Sequence, residues 1–193
     1  MKQNIGLFFG TFDPLHNGHI SIAKYFLNEL LLDQIWFVIT PLSPFKQANK
    51  VSNYYSRFKI IENFCKNNER IICSDVEFKL KPPYNTSETL KFLKEEHPNK
   101  EFKIILGEDN LNTLHLWSDY ESILNHKICV YPRISQTNEK SKLLSHPNVN
   151  LYNAPIMRIS STLIRDRIKN NKSISDLVPK EIEEILIKTQ NQN

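Results

Sequence analysis

Two histidines, His16 and His19, stand three residues apart in Gly10-Thr11-Phe12-Asp13-Pro14-Leu15-His16-Asn17-Gly18-His19, directly after the apolar run Ile5 to Phe9. Imidazoles at that spacing share one side of a helix or of the turn entering it. Three chemistries are open to them. They can cap and pack a helix start. With Asp13 they form D-x-x-H-x-x-H, which could offer a carboxylate and two imidazoles to a metal. No further cluster of Cys, His and carboxylates stands out to complete such a set, so no protein-held metal is expected. The third chemistry is anion binding. Gly10 lets backbone approach a ligand, Thr11 brings a hydroxyl, and Gly18 removes a side chain where a helix begins. The free N–H groups of that helix end would then face a phosphate. Neither G-K-[ST] nor G-x-G-x-x-G is present, which disfavours the common phosphate loops.

A second stretch repeats that logic far along the chain. Ile159-Ser160-Ser161-Thr162-Leu163-Ile164-Arg165 sets three hydroxyl residues at an expected helix start, with Arg165 one turn beyond Ser161. Hydroxyls and N–H groups at a helix N-terminus suit phosphate oxygens, and a guanidinium adds charge. A plain serine cap with a solvated arginine is the competing account.

The elements that must position these residues follow from periodicity. Buried strands are expected at Ile5 to Phe9 and Ile35 to Ile39, and further strands at Phe102 to Leu106 and Lys127 to Tyr131. A partly buried one is expected over Ile71 to Phe78, and a short one over Val149 to Tyr152. Helical spacing runs through Ile20, Ala23, Leu27 and Leu30, and again through Tyr54, Phe58, Ile61 and Cys65 behind a Ser52 cap. Further helices are expected after a Thr86 or Ser87 cap, from about Ser118 to Leu124, from Ser160 or Ser161 onward, and around Pro179. Strands alternating with helices predict an α/β fold: a Rossmann-like parallel sheet with helices on both faces. Such sheets bind ligands beyond the carboxyl ends of their strands. The four glycines, Gly6, Gly10, Gly18 and Gly107, are expected at strand-end loops.

The bulk composition fits one domain over residues 1–193, with a helical C-terminal part at about 160–189. Net charge is +4 from 25 basic and 21 acidic residues, too small an excess to imply nucleic acid. Cys65, Cys73 and Cys129 are scattered and odd in number, which argues against a disulfide framework and for a reducing, cytoplasmic setting. No membrane span or signal-type segment is expected. The sequence leaves a homo-oligomer open.

At Gly10 to His19 the chain resembles the G-x-F-D-P-x-H-x-G-H signature of the nucleotidylyltransferase superfamily, and Ile159 to Arg165 resembles its I-S-S-T-x-I-R motif. The segments between are similar to the bacterial nicotinate-mononucleotide adenylyltransferase family. Pro41-Leu42-Ser43-Pro44-Phe45-Lys46 is similar to P-x-x-P-H-K, Tyr55 to Phe58 to the helix that follows, and Asn85 to Leu90 to Y-T-x-D-T-L. Leu106 to Leu111 is similar to G-x-D-x-L, and Leu116-Trp117 and Pro132-Arg133 complete the likeness with the Lys172 to Pro179 stretch. Phe45, Asn85 and Glu108 depart from the usual histidine, tyrosine and alanine.

This resemblance implies a nucleotidyltransferase fold and adenylyl transfer from ATP, with Mg²⁺, to nicotinate mononucleotide, giving deamido-NAD and pyrophosphate. His16, His19 and Arg165 would be catalytic. Gly10, Thr11, Phe12, Gly107, Asp109, Ser160, Ser161 and Thr162 would bind ATP. Lys46, Thr86, Thr89, Trp117 and Arg133 would bind the pyridine nucleotide. Nicotinamide mononucleotide or phosphopantetheine are alternative acceptors, and a nucleotide-binding sensor or a metal-dependent hydrolase using Asp13, His16 and His19 are alternatives of other kinds.

Overall fold

The computed structural model describes residues 2–42, 52–133 and 141–190. Its frame is a six-stranded, all-parallel sheet: β1 (Gln3–Gly10), β2 (Gln34–Ile39), β3 (Ile71–Ser74), β4 (Lys100–Gly107), β5 (Lys127–Tyr131) and β6 (Val149–Leu151), in the order β3-β2-β1-β4-β5-β6. The helices are α1 (Asn17–Glu29), α2 (Tyr54–Cys65), α3 (Thr86–Glu96), α4 (Glu108–Thr113), α5 (Tyr120–Ile123), α6 (Ser161–Lys169) and α7 (Lys180–Gln190).

The strands read as continuous apolar runs because both faces of the sheet are covered. Alternation sorts their side chains into two cores. Phe8, Ile35, Phe37, Ile39, Ile105 and Cys129 join Phe26 of α1, Ile61 and Phe64 of α2, Ile164 of α6 and Ile182 of α7 on one face. Leu7, Val38, Ile104, Leu106, Ile128 and Val130 join Leu90 and Leu93 of α3, Leu111 of α4 and Ile123 of α5 on the other. The expected layering, with helices on both faces, is therefore what the chain builds. From β1 the chain winds outward to β3, then crosses back to β4 on the other side of β1. This reversal opens a crevice at the carboxyl ends of β1 and β4, where such sheets take ligands.

Several local expectations need correction. The apolar stretch from Ile71 to Phe78 is not one strand: β3 ends at Ser74, and Val76–Lys79 forms a 3-10 turn that sends Val76 and Glu77 inward. Asn53, not Ser52, caps α2, and its side chain accepts from the Tyr55 N–H. Ser52 instead donates to the Asp13 carboxylate. Asn85 holds the cap position of α3 in place of Thr86 or Ser87. The helix expected from Ser118 shrinks to Tyr120–Ile123, since Asp119 takes a left-handed backbone, φ +49°. Gly6 lies inside β1 rather than at a strand end: a Cβ there would meet Leu32 Cδ1 at 2.8 Å.

Candidate active site

β1 ends at Gly10, and Phe12 then takes φ +45°, a backbone conformation that costs a bulky residue roughly 1–2 kcal/mol. The turn drives the Phe12 ring into the core, edge-on to Phe37 at 5.0 Å and to His19 at 4.9 Å. His16 caps α1, its Nδ1 accepting the His19 N–H at 3.4 Å. The rings of His16 and His19 stack with centroids 3.6 Å apart. Gly18 permits this: a Cβ at that position would lie 2.9 Å from His16 Nδ1.

His16 is buried, and burial together with the nearby Arg133 guanidinium lowers its pKa to about 4. The ring is neutral at pH 7. Because Nδ1 accepts a main-chain N–H, the ring hydrogen belongs on Nε2, which can donate. Asp13 does not join the imidazoles. Its carboxylate accepts from the Ser52 hydroxyl and N–H.

The late cluster closes onto this loop. Ser160 caps α6 by accepting the Leu163 N–H at 3.1 Å. The Ser161 hydroxyl donates to the Pro14 carbonyl at 3.0 Å, 147 positions away in sequence. Arg165 donates to the Asp13 carbonyl and to Thr162 Oγ1. The early loop and the late helix start are thus hydrogen-bonded to one another, with Ser161 and Arg165 bracing the histidine loop.

The result is one cleft of about 590 Å³. Gly10, Thr11, Phe12, His16, His19, Gly107, Trp117, Arg133, Ser160, Ser161, Thr162 and Arg165 all line it. Asp109, in the first turn of α4, is not itself among the described lining residues but pairs with Arg133, which is, at 3.0 Å. A Cβ at Gly107 would lie 2.5 Å from Asp109 Oδ1, so a larger residue there would displace that carboxylate. Glu108 is not among the described lining residues. Thr86 and Thr89 lie apart from the described cleft wall, and Thr89 is fully buried with its hydroxyl against Glu77. Lys46 and Phe45 lie outside the described residues.

Two parts of the site were not singled out from the sequence. Asn110 and Tyr131 line the cleft. Arg57 is a buried brace: its guanidinium donates to the carbonyls of Thr11, Thr40 and Pro41, and its Nε to that of Ser52. It clamps the loops after β1 and β2 together. The available signal was a basic residue on the apolar face of α2, between Tyr54 and Ile61.

Among the described residues no group of three or more His, Cys, Asp or Glu side chains is arranged to hold a metal, and no helix is long and apolar enough to cross a membrane.

Comparison with known proteins places these observations. Residues 7–167 match the family described as cytidylyltransferase-like. A probable nicotinate-nucleotide adenylyltransferase of Flavobacterium johnsoniae is 46% identical over 185 residues, 95% of this chain and 96% of the relative. Its counterpart in Flavobacterium psychrophilum is 42% identical, over 93% of this chain and 94% of the relative. Among solved structures, the Plasmodium falciparum nicotinic acid mononucleotide adenylyltransferase complexed with NaAD superposes with a TM-score of 0.79 at 24% identity, covering 99% of this chain and 98% of that one. That likeness is one of fold.

Proposed function

This chain belongs to the cytidylyltransferase-like family, and within it to the nicotinate-nucleotide adenylyltransferases, and from that premise we propose that it transfers the adenylyl group of ATP to nicotinate mononucleotide, giving deamido-NAD and pyrophosphate, a late step of NAD biosynthesis. The observation that carries the reading is the shared cleft: stacked imidazoles from residues 16 and 19 and the hydroxyl-rich start of α6 face one space at the carboxyl ends of the strands.

The 5′-phosphate of the mononucleotide attacks the α-phosphorus of ATP, and pyrophosphate leaves. A phosphate oxygen is already an anionic nucleophile, so no covalent enzyme intermediate is needed. The barrier lies in bringing two polyanions together and holding the charge that builds on the transferred group and the leaving oxygens. His16, neutral, donates Nε2–H to a phosphate oxygen, and His19 stacks beside it to do the same. The N–H groups of the first turn of α6, with Thr162 and Arg165, hold the departing pyrophosphate. Gly10 and Thr11 let the triphosphate approach backbone above Phe12. Asp109 is the ribose acceptor, so adenosine competes with Arg133 for its carboxylate.

The mononucleotide lies against Trp117 and the start of α3. Asn85 caps that helix by position only, its side chain accepting no hydrogen bond. The N–H groups of its first turn, at Thr86, therefore serve the anionic pyridine substrate. Lys46 and Arg133 complete its anion contacts, and Thr89 supports the turn from beneath.

The carboxylates nearest the cleft, Asp13 and Asp109, are engaged by Ser52 and Arg133. That donor set fits an ion carried mainly by phosphate oxygens and water. Mg²⁺ bound in this way supplies charge neutralisation of the triphosphate.

The test is pyrophosphate release with Mg-ATP and, in separate reactions, nicotinate mononucleotide, nicotinamide mononucleotide, phosphopantetheine and glycerol phosphate. Turnover with the first is expected to exceed the others. Release with none of the four overturns the reading, and preference for another acceptor replaces the substrate.

A further inference from the structure

Beneath the first turn of α3 lies a buried acid that the reaction above does not use. Glu77, on the 3-10 turn after β3, is 1% exposed. Its Oε1 lies 3.1 Å from Thr89 Oγ1, and Thr89 Oγ1 lies 3.1 Å from the Asn85 carbonyl oxygen. The Thr89 hydroxyl has one hydrogen for these two oxygen–oxygen contacts. The Asn85 carbonyl can only accept. Both contacts are attractive at once only if Glu77 carries the second proton. An ionised Glu77 would leave one pair of oxygens with no hydrogen between them. It would also bury a charge, since Glu77 Oε2 has no hydrogen-bond partner among the described residues.

Among the described residues, the charged groups around it offer no counter-ion. Asp75 and Lys79 of its own turn pair with each other at the surface. Glu88 and Lys91 on α3 are exposed. Arg57 spends its guanidinium on main-chain carbonyls. β2, packed against the turn, presents no ionisable side chain and is followed by Thr40, whose hydroxyl lies by the acid. Burial is the largest influence on the Glu77 carboxyl and pushes it up to about 7, with Thr40 and Thr89 acting the other way.

We propose that Glu77 is a positioning residue held as a neutral carboxylic acid, whose proton passes a hydrogen-bond chain through Thr89 to the Asn85 carbonyl and fixes the pyridine-nucleotide end of the site. Thr40, whose side chain lies by the acid, belongs through its main chain to a separate brace of the histidine loop. The Thr40 N–H donates to the Gly10 carbonyl at 2.9 Å, and the Thr40 carbonyl accepts from Arg57 at 3.1 Å. Glu77 thus sits where the start of α3, the end of β2 and the brace of the histidine loop meet. The inference rests on the proposed function for the identity of the ligand at α3, and on geometry alone for the protonation state.

Two measurements on the full chain test it, comparing wild type with Glu77→Gln and Glu77→Ala. Gln matches the neutral acid in shape, and its amide N–H can donate to Thr89. Between pH 6.5 and 8.5, the wild-type KM for nicotinate mononucleotide should rise severalfold relative to Glu77→Gln, with the KM for ATP moving in neither. Glu77→Ala should raise the mononucleotide KM about tenfold and leave that for ATP within about twofold. Thermal melts need no substrate: a carboxyl raised in the fold contributes stability that is lost as pH rises through its folded value. The wild-type Tm should therefore fall across pH 6 to 8.5 by more than that of Glu77→Gln. Parallel pH dependences of Tm in the two proteins, or a Gln variant as damaged as Ala in mononucleotide KM, would overturn the proposal. Absence of turnover with nicotinate mononucleotide in wild type would instead overturn the function, leaving the melts to decide the protonation state.

Discussion

Acidification should unfold this protein in part through one imidazole. His16 is 2% exposed, and its pKa falls from 6.5 to about 4 on folding. The sign follows from which state binds the proton. A histidine depressed in the fold is protonated more readily in the unfolded chain, so its contribution to stability is present above about 6.5 and is lost as pH falls toward the folded value. With those two values, moving from pH 7.5 to pH 5 removes about 2 kcal/mol, and the loss levels off near 3.4 kcal/mol below pH 4 at about 1.36 kcal/mol per pKa unit. A folded value one unit higher still gives about 1.6 kcal/mol at pH 5. His16→Asn is the matched control, because an amide oxygen can accept the His19 N–H in place of Nδ1 while carrying no titratable proton. Urea unfolding of both proteins at pH 7.5 and 5.0, extrapolated linearly to water, isolates the term as a double difference. Wild type should lose about 2 kcal/mol more than His16→Asn. Equal losses would refute both the burial of a neutral imidazole and its role as an Nε2 donor.

Three other substitutions probe separate parts of the cleft. His19→Ala should lower kcat by roughly 10²–10³, the usual consequence of deleting one charge-stabilising donor, and steady-state pyrophosphate release measures it. Arg57→Met strips the carbonyls of Thr11, Thr40 and Pro41 of their donor and should destabilise the fold by about 2–4 kcal/mol in urea titrations. Gly107→Ala drives a Cβ to 2.5 Å from Asp109 Oδ1. Displacing that carboxylate should raise the KM for ATP about tenfold, with little change for the mononucleotide, as a two-substrate kinetic matrix would show.

The parallel sheet and the alternation of strands with helices were legible because parallel strands covered on both faces leave unbroken apolar runs, as in Ile35 to Ile39 and Phe102 to Leu106. The two anion-binding segments were legible for a different reason: histidines, hydroxyls and glycines at a helix start are an uneconomical way to build a surface. What the sequence hid was tertiary. Ser52 and Asn53 are both competent caps, and the choice falls to Asn53 because Ser52 is drawn to Asp13, 39 positions away. Glu77 reads as a surface acid within an apolar strand. It is buried because the chain turns at Ser74 and folds the acid under α3. Arg57 lies in a segment similar to the family's, yet its acceptors are main-chain carbonyls on two loops, which no side-chain pattern announces. The pairing of Asp109 with Arg133 was equally invisible, since it depends on β4 and β5 lying side by side.

The central claim is that the first histidine loop and the start of α6 grip one triphosphate. A crystal structure of the protein with a non-hydrolysable ATP analogue and Mg²⁺ tests it most directly. The account predicts phosphate oxygens within hydrogen-bond distance of both the His16–His19 pair and the Ser160–Arg165 turn, with the ribose at Asp109. A triphosphate bound elsewhere, or touching one of those two segments and not the other, would contradict it.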